Sequence, residues 1–371
     1  MRTVPAPGRG RPNTVAGWRS LPCGPAAGHG SRGPILNPFR LYCAAQEETL
    51  DSPTKVSMIP PSMPDSTTLA RAARRLLVIY NPTAGGSRRR RFEAVLADLA
   101  DLGCAMDVRP TTGPGDAGHF AAEADVQEHD LVVAAGGDGT INEVVNGLVA
   151  LTPPEQRPPL AVLPLGTANV LAAELGLQIV PRQIARVIAG GAVRPVSLGR
   201  TEGPDGHGRV FSLMAGAGFD ARVVEGLDLR LKRLIGKGAY VVESLHQMSR
   251  RQPPPLQVTV DGVPYEAASV VVSNARFYAG RYLLAPEARI DTPELHVCLF
   301  RYGDVFNTLR YAVALQRGHL PVSRGFEIVT GQEIRIEGQS GAPLQADGDI
   351  VARLPVTVRP LPGALRMVSA A

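Results

Sequence analysis

Regular patterning begins at Leu76-Leu77-Val78-Ile79-Tyr80, a continuous apolar run that stops at Asn81-Pro82. A short run that is apolar at every position predicts a strand buried on both faces, as in a parallel sheet. From Arg89 to Leu102 the period lengthens, and Phe92, Val95, Leu96 and Leu99 share one helical face. Met106 to Arg109 predicts a second strand, Asp116 to Glu128 a helix, and Leu131 to Ala135 a third strand. Ile141 to Leu151 reads as a helix and Leu160 to Pro164 as a fourth strand. Strands alternating with helices at this spacing predict βα units and a parallel sheet.

Beyond about Pro195 the pattern changes. Val210–Met214, Leu256–Val260, Val263–Val272, Leu295–Phe300, Glu333–Ile336 and Val356–Arg359 read as strands, with hairpin signals such as Asp261-Gly262 between them. One helical stretch, Leu227 to Met248, interrupts them. The fold class expected is α/β plus β, a parallel-sheet domain followed by a mainly antiparallel β-sandwich domain. Residues 1–70 are rich in Pro, Gly, Ser and Arg without any period, and are expected to be a disordered leader. Residues 71–195 would then form the α/β domain and 196–371 the β-rich domain, with a C-terminal segment able to return to the first. Met58 and Met63 precede the first regular segment, so the leader reads as an over-extended gene start.

Composition narrows the classes. The chain has 371 residues and 44% apolar content, enough for two hydrophobic cores. Its net charge of +5 is unevenly spread: residues 1–75 hold ten Arg and Lys against four Asp and Glu, and the remainder holds 29 against 30. The basic excess therefore belongs to the leader, which removes nucleic acid as an expected partner of the folded part. Cys23, Cys43, Cys104 and Cys298 are widely spaced, which argues against a disulfide scaffold or a zinc site and suits a reducing cytosol. Three lysines stand against 36 arginines, a bias expected of a GC-rich bacterial genome. There is no run of eighteen apolar residues and no apolar signal region near the start.

The candidate chemistry centres on Ala135-Gly136-Gly137-Asp138-Gly139-Thr140-Ile141-Asn142-Glu143. This run falls where a parallel strand ends and a helix begins, the usual ligand position in open α/β sheets. Glycines there let backbone N–H groups approach phosphate oxygens, and the helix N-terminus favours an anion. Asp138 could act through Mg²⁺ or orient an attacking hydroxyl. Taken alone, a Gly-Asp-Gly turn is as well explained by a tight turn with an Asp cap.

These residues give the chain a resemblance to the bacterial diacylglycerol-kinase-like lipid kinases, relatives of sphingosine and ceramide kinases. Asn81-Pro82-Thr83-Ala84-Gly85 is similar to that family's first nucleotide loop, Thr111 to a nucleotide-contacting threonine, and Leu165-Gly166-Thr167-Ala168-Asn169 to a third loop. Gly216-Ala217-Gly218-Phe219-Asp220, Gly236-Lys237-Gly238-Ala239-Tyr240, Asn274 and Ala285-Pro286 fit its second domain. The resemblance implies that the first domain binds ATP with Mg²⁺ and the second a lipid substrate. It implies nucleotide contacts from Asn81, Pro82, Thr83, Ala84, Gly85, Thr111, Gly136, Gly137, Asp138, Gly139, Thr140, Ile141, Asn142, Glu143 and Thr167. It also implies catalytic roles for Asp138 and Asp349.

Two positions depart from the family pattern. Asp347-Gly348-Asp349 stands where the family has Asp-Gly-Glu, whose last carboxylate serves as general base; the same run also reads as a hairpin turn. Thr292-Pro293 stands where an Asp-Gly pair holds a structural Mg²⁺, leaving Asp291 and Thr292 as the candidate metal positions or Asp291 as a turn residue. The run Arg88-Arg89-Arg90-Arg91 opens a helix against its dipole, which suits a nearby anion or a solvated turn. Leu227 to Tyr240 mixes Arg230, Lys232, Arg233 and Lys237 with leucines, which suits either a helix packing its leucines on the β domain with the cations outside or, in a cytoplasmic protein, transient contact with the inner face of the membrane. A homodimer is left open. An NAD kinase shares the Gly-Gly-Asp-Gly turn and is the competing enzyme reading; a catalytically inactive lipid- or nucleotide-binding relative is the competing non-enzyme reading.

Overall fold

The computed structural model describes residues 74–82, 86–151, 153–206, 208–226 and 254–370. Strand β1 (Arg75–Tyr80) lies between β2 (Ala105–Pro110) and β3 (Leu131–Gly136), with β4 (Leu160–Pro164) beyond β3. All four run parallel. β1, β3 and β4 are apolar at nearly every position because helices cover both faces. Leu76, Val78, Leu131 and Val133 pack with α1 (Gly86–Asp101) through Phe92, Val95 and Leu99, and with Ile184 and Ile188 of α5 (Pro181–Gly190). On the other face Leu77, Ile79, Val132 and Ala134 meet α2 (Asp116–Ala122) and α3 (Asp138–Ala150). Each fully buried aliphatic side chain contributes roughly 1.5–3 kcal/mol. β2 is the edge strand, and its exposed, interrupted pattern agrees with that place.

Helix α1 begins at Gly86 rather than Arg89, and two further helix boundaries differ from expectation, each for a local reason. The α2 pattern was expected to reach Glu128, but regular helix ends at Ala122. Asp125 closes a turn there, its Oδ1 accepting from the Gln127 N–H and its carbonyl from the His129 N–H. Helix α3 begins at Asp138, three residues before the first apolar position, because the glycine run itself forms the first turn.

After β4 come α4 (Val170–Glu174) and β5 (Ala192–Glu202), and the second half supplies β6 (Gly208–Phe211), β7 (Met214–Ala217), α6 (Phe219–Gly226), β8 (Leu256–Val260), β9 (Val263–Ala267) and β10 (Ser269–Ser273). A two-residue hairpin, β11 (Phe277–Tyr278) and β12 (Tyr282–Leu283), precedes β13 (Leu295–Phe300), α7 (Val305–Gln316), β14 (Phe326–Gly331) and β15 (Ile334–Glu337). The chain ends with β16 (Pro343–Ala346), β17 (Asp349–Arg353) and β18 (Val356–Ser369). Val210–Met214, expected as one strand, is two, because Ser212 and Leu213 turn their N–H groups toward Asp347. Val263–Val272 likewise divides at Ala268. The predicted helix at Leu227–Met248 and the predicted leader lie outside the described residues.

β18 is the element that joins the halves. It pairs antiparallel with β5 and β15, and parallel with β4 at Met367 opposite Leu160. One sheet therefore continues β2-β1-β3-β4-β18-β15-β8-β9 from the parallel to the antiparallel half. The second sheet, β14-β13-β10-β7-β16-β17, faces it across a core containing Phe211, Val258, Val272, Val297, Ile334, Leu344 and Val356. Together they form the antiparallel sandwich expected of the second half. Among the described residues no helix is long and apolar enough to cross a membrane.

Candidate active site

The β3–α3 junction is built on close backbone approach. A Cβ on Gly136 would lie 2.6 Å from the Thr140 side chain, and one on Gly166 would lie 2.6 Å from the Gly137 Cα. Only glycine lets the loop after β4 press against the loop after β3. Gly139, by contrast, faces open space. The Thr140 hydroxyl accepts from Asn81 Nδ2 at 3.0 Å, which ties the end of β1 to α3. The first N–H groups of α3 have no carbonyl behind them within the helix, so they and its dipole form a place for an anion.

Asp138 does more than begin that helix. It is half-buried, and its Oδ1 accepts from the N–H groups of Val170 at 2.9 Å and Leu171 at 3.4 Å. One carboxylate oxygen thus satisfies the first turn of α4. Burial pushes the carboxyl above its usual range; the α4 N–H groups pull it back, and the nearby Asp347 charge pushes it up again.

The remaining loop residues gather at the carboxyl ends of the same strands. Thr111 is buried where β2 ends, its N–H bonded to the Tyr80 carbonyl at 2.8 Å. Asp116 organises the next turn, accepting from Thr112 Oγ1 and from the N–H groups of Thr112 and Gly113. These bonds, the Thr112 hydroxyl first, hold its carboxyl below the usual range. Glu143 accepts from the Gly115 N–H at 3.1 Å and so joins that turn to α3. Thr167 accepts from Arg88 at 2.9 Å, while Arg89 pairs with Glu93 on the outer surface. The arginine run therefore divides between the loop rim and solvent. Pro82 is exposed beside Asn81; Thr83, Ala84 and Gly85 lie outside the described residues.

A second cluster approaches from the sandwich. Asp347 and Gly348 have φ of 47° and 93°, the two positive values of a tight hairpin turn between β16 and β17. The Asp347 carboxylate accepts from Ser212 N and Oγ, Leu213 N, Met214 N and Asn142 Nδ2, all between 2.7 and 3.0 Å. Burial raises its pKa and these donors lower it. Asn142 is the bridge, because its Oδ1 also accepts from Arg209 Nε at 3.2 Å and Nη2 at 3.1 Å. Arg209 Nη2 in turn lies 3.8 Å from Asp349 Oδ2. Asp349 is exposed at the mouth of this arrangement, and its carboxylate is open to an incoming group. Ile141, between these polar neighbours, is buried core rather than lining.

Sequence reading anticipated Asp138, Asn142 and Asp349 but missed Arg209 and Ser212. Nothing local to an arginine on a strand or a serine between strands marks it; only tertiary pairing brings each to the cluster. Asp220 is also engaged, accepting from Tyr278 Oη and from Gln345 Nε2 at 2.6 Å, with burial raising its pKa.

Asp291 and Thr292 stand apart from both clusters in their bonding. Both Asp291 oxygens are taken by the Arg289 guanidinium, at 2.9 and 2.8 Å, and the Thr292 hydroxyl donates to the Arg289 carbonyl at 2.9 Å. The turn is closed by its own side chains, and a metal ion would have to displace Arg289 to reach the carboxylate. The geometry therefore does not fit the cation expected at Asp291 and Thr292. Among the described residues no three His, Cys, Asp or Glu side chains gather to hold a metal.

Comparisons with known proteins agree with this layout. The family model described as the diacylglycerol kinase catalytic domain matches residues 75–201, and the YegS C-terminal NAD kinase beta sandwich-like domain matches residues 214–369. A protein of Chromohalobacter salexigens named "Probable lipid kinase YegS-like" is 34% identical over 274 residues, covering 72% of this chain and 85% of that one. A diacylglycerol kinase of Bacillus subtilis is 29% identical, covering 76% and 92%. The crystal structure of a diacylglycerol kinase from Bacillus anthracis superposes with a TM-score of 0.65 over 80% of this chain and 97% of that one; at 24% identity it speaks for the fold alone. With both halves matched and the glycine loops in place, the chain belongs to the diacylglycerol-kinase-like lipid kinase family, phosphotransferases with an alcohol acceptor.

Proposed function

We propose that this chain transfers the γ-phosphoryl group of ATP to a hydroxyl of a diacylglycerol- or sphingoid-like lipid, as a cytoplasmic protein working at the inner face of the membrane. In this reading residues 71–195 hold the nucleotide and residues 196–371 the lipid. The observation that carries it is the Asn142 bridge. One side chain on the glycine-loop helix bonds Asp347 and Arg209, and so ties that loop to the hairpin bearing Asp349.

The first turn of α3 and the open space at Gly139 receive the phosphates, with Asn81, Thr111 and Thr167 around the nucleotide. The Asp138 carboxylate is the group that would hold a Mg²⁺ ion bound with ATP, and such an ion would supply neutralisation of phosphate charge. Asp349 accepts the proton of the lipid hydroxyl as its oxygen bonds to the γ-phosphorus and the bond to the departing ADP oxygen breaks. Arg209 holds Asp349 in place. Most of the rate gain then comes from alignment and charge stabilisation.

NAD kinase chemistry is separated by a direct competition. Incubation of γ-labelled ATP with NAD and a lipid extract is expected to label lipid and leave NAD unlabelled. Label in NADP with none in lipid would overturn the proposal.

A further inference from the structure

We propose that the outward face of α7 and the turn after it is the surface by which this protein rests on an anionic lipid membrane. The inference deepens the lipid-kinase reading and rests on it for the meaning of the contact, though not for its measurement. Helix α7 is amphipathic in the reverse of the usual sense. Its buried residue is Tyr311, whose ring meets Phe300 edge-on and whose hydroxyl donates to the Gly325 carbonyl. The opposite face carries Phe306, Leu309 and Val313, which are 74%, 45% and 42% exposed. Spaced by three and four residues, they form one apolar stripe on the solvent side.

The stripe does not end with the helix. Val322, in the 3₁₀ turn at Leu320–Val322, is 85% exposed. Tyr282 and Leu283 of β12, which packs beside α7, are exposed as well. A groove of about 470 Å³ lined by Phe306, Leu309, Val313 and Arg317 runs along the stripe. Through the β11–β12 hairpin the patch continues toward the site, since Glu174 of α4 accepts from the Phe277 N–H at 2.8 Å. The same α4 is capped by Asp138.

Charge selects the occupant. From Val305 to Gly325 the chain has Arg310, Arg317, Arg324 and His319 and no Asp or Glu. Among the described residues none of these arginines has an acidic partner within salt-bridge distance. The acids nearest in sequence are occupied: Asp304 caps the helix through Asn307, and Glu327 pairs with Arg301. Exposed aromatic and aliphatic side chains rimmed by arginines that have no acidic partner among the described residues match the interface of a bilayer with anionic headgroups, Arg310 itself being held by the Arg324 carbonyl. A second copy fits less well, because a two-fold contact would set the three arginines against their own equivalents.

The test uses the full chain without nucleotide, sedimented with vesicles of phosphatidylcholine alone or with roughly 30% phosphatidylglycerol. The wild type is expected to bind the anionic vesicles preferentially. Phe306→Asp with Val322→Asp should lower that partition about tenfold or more, and Arg317→Glu with Arg324→Glu should erase the preference for anionic lipid. Activity on a dispersed short-chain diacylglycerol, measured without vesicles, should stay unchanged in both variants. Variants that bind vesicles as the wild type does would overturn the surface. So would a Phe306→Cys chain that takes up no more maleimide than the wild type before vesicles are added, since another segment would then cover the face. Failure to phosphorylate any lipid while vesicle binding responds as stated would leave the surface standing and remove the kinase reading instead.

Discussion

In the proposed reading Asp138 carries two duties that its substitutions separate. Its Oδ1 satisfies the first N–H groups of α4, and its place beside the open face of Gly139 suits it to the phosphates. Asp138→Asn keeps an acceptor oxygen toward α4 but removes the charge. We expect it to melt with the wild type while losing at least about a hundredfold in kcat, as removal of a phosphate-side charge does. Asp138→Ala should lose the cap as well and be less stable by about 1 kcal/mol. Thermal melts beside single-substrate kinetics distinguish the two, and equal stability of both variants would contradict the capping role. In the same reading Arg209 is a positioning residue, bonded to Asn142 and lying beside Asp349. Arg209→Ala is expected to lower kcat about tenfold with the KM for ATP unchanged, and Arg209→Lys to recover part of the loss. A change confined to the KM for ATP would place Arg209 on the nucleotide instead.

At the scale of elements, α2 and α3 touch through backbone. A Cβ on Gly147 would lie 2.1 Å from the Gly118 carbonyl oxygen and 2.9 Å from the Ala121 Cβ. Helix propensity alone favours alanine there by about 1 kcal/mol. Overpacking against a neighbouring backbone costs about 1–3 kcal/mol, so Gly147→Ala should be destabilising in denaturant melts, and a stabilised variant would refute the contact. The turn before α2 gives a pH test. Asp116 is depressed by its bonds from Thr112 and Gly113, so its contribution is present above the unfolded pKa near ~3.9 and lost as pH falls through the lower folded value. The Gly113 amide resonance should therefore titrate with a midpoint below about 3.9, and a midpoint at or above it would show the bonds absent.

The parallel strands, α1 and the glycine turn were legible because their signals are local: unbroken apolar runs, a 3.6-residue period, glycines at a junction. Helix α7 was not, since its most apolar residues face outward and its one buried side chain gives no periodic core face. β18 was read only in its first residues because Pro360, Pro362 and Gly363 interrupt the pattern, and a register shift between Leu361 and Leu365 accommodates them. The loops at Asn81, Thr111 and Thr167 were marked by the family resemblance alone. Arg209 and the Ser212–Met214 donors around Asp347 could not be read, because residues far apart in sequence are brought together there.

The whole molecule places its chemistry at a seam. β18 carries one sheet from the parallel half into the sandwich, and the hairpin preceding it delivers Asp349 beside the helix that opens with Asp138. A continuous sheet makes the two halves a poor hinge, so in the proposed reading alignment of nucleotide and acceptor is built in by folding rather than by closure of this joint. The Asp291–Thr292 turn adds to this picture, since Arg289 takes up the Asp291 carboxylate and the Thr292 hydroxyl donates to the Arg289 carbonyl. Chelator is accordingly expected to leave the melting temperature of the protein unchanged in the absence of nucleotide, and a clear fall on chelation would restore a resident cation. The most direct measurement of the central claim is transfer of label from γ-labelled ATP to a lipid hydroxyl by the wild type and by Asp349→Asn, side by side, with ATP binding measured for both. The account predicts labelled lipid from the wild type, at least about a hundredfold less from the variant, and equal ATP binding. Equal labelling by the two proteins would contradict it.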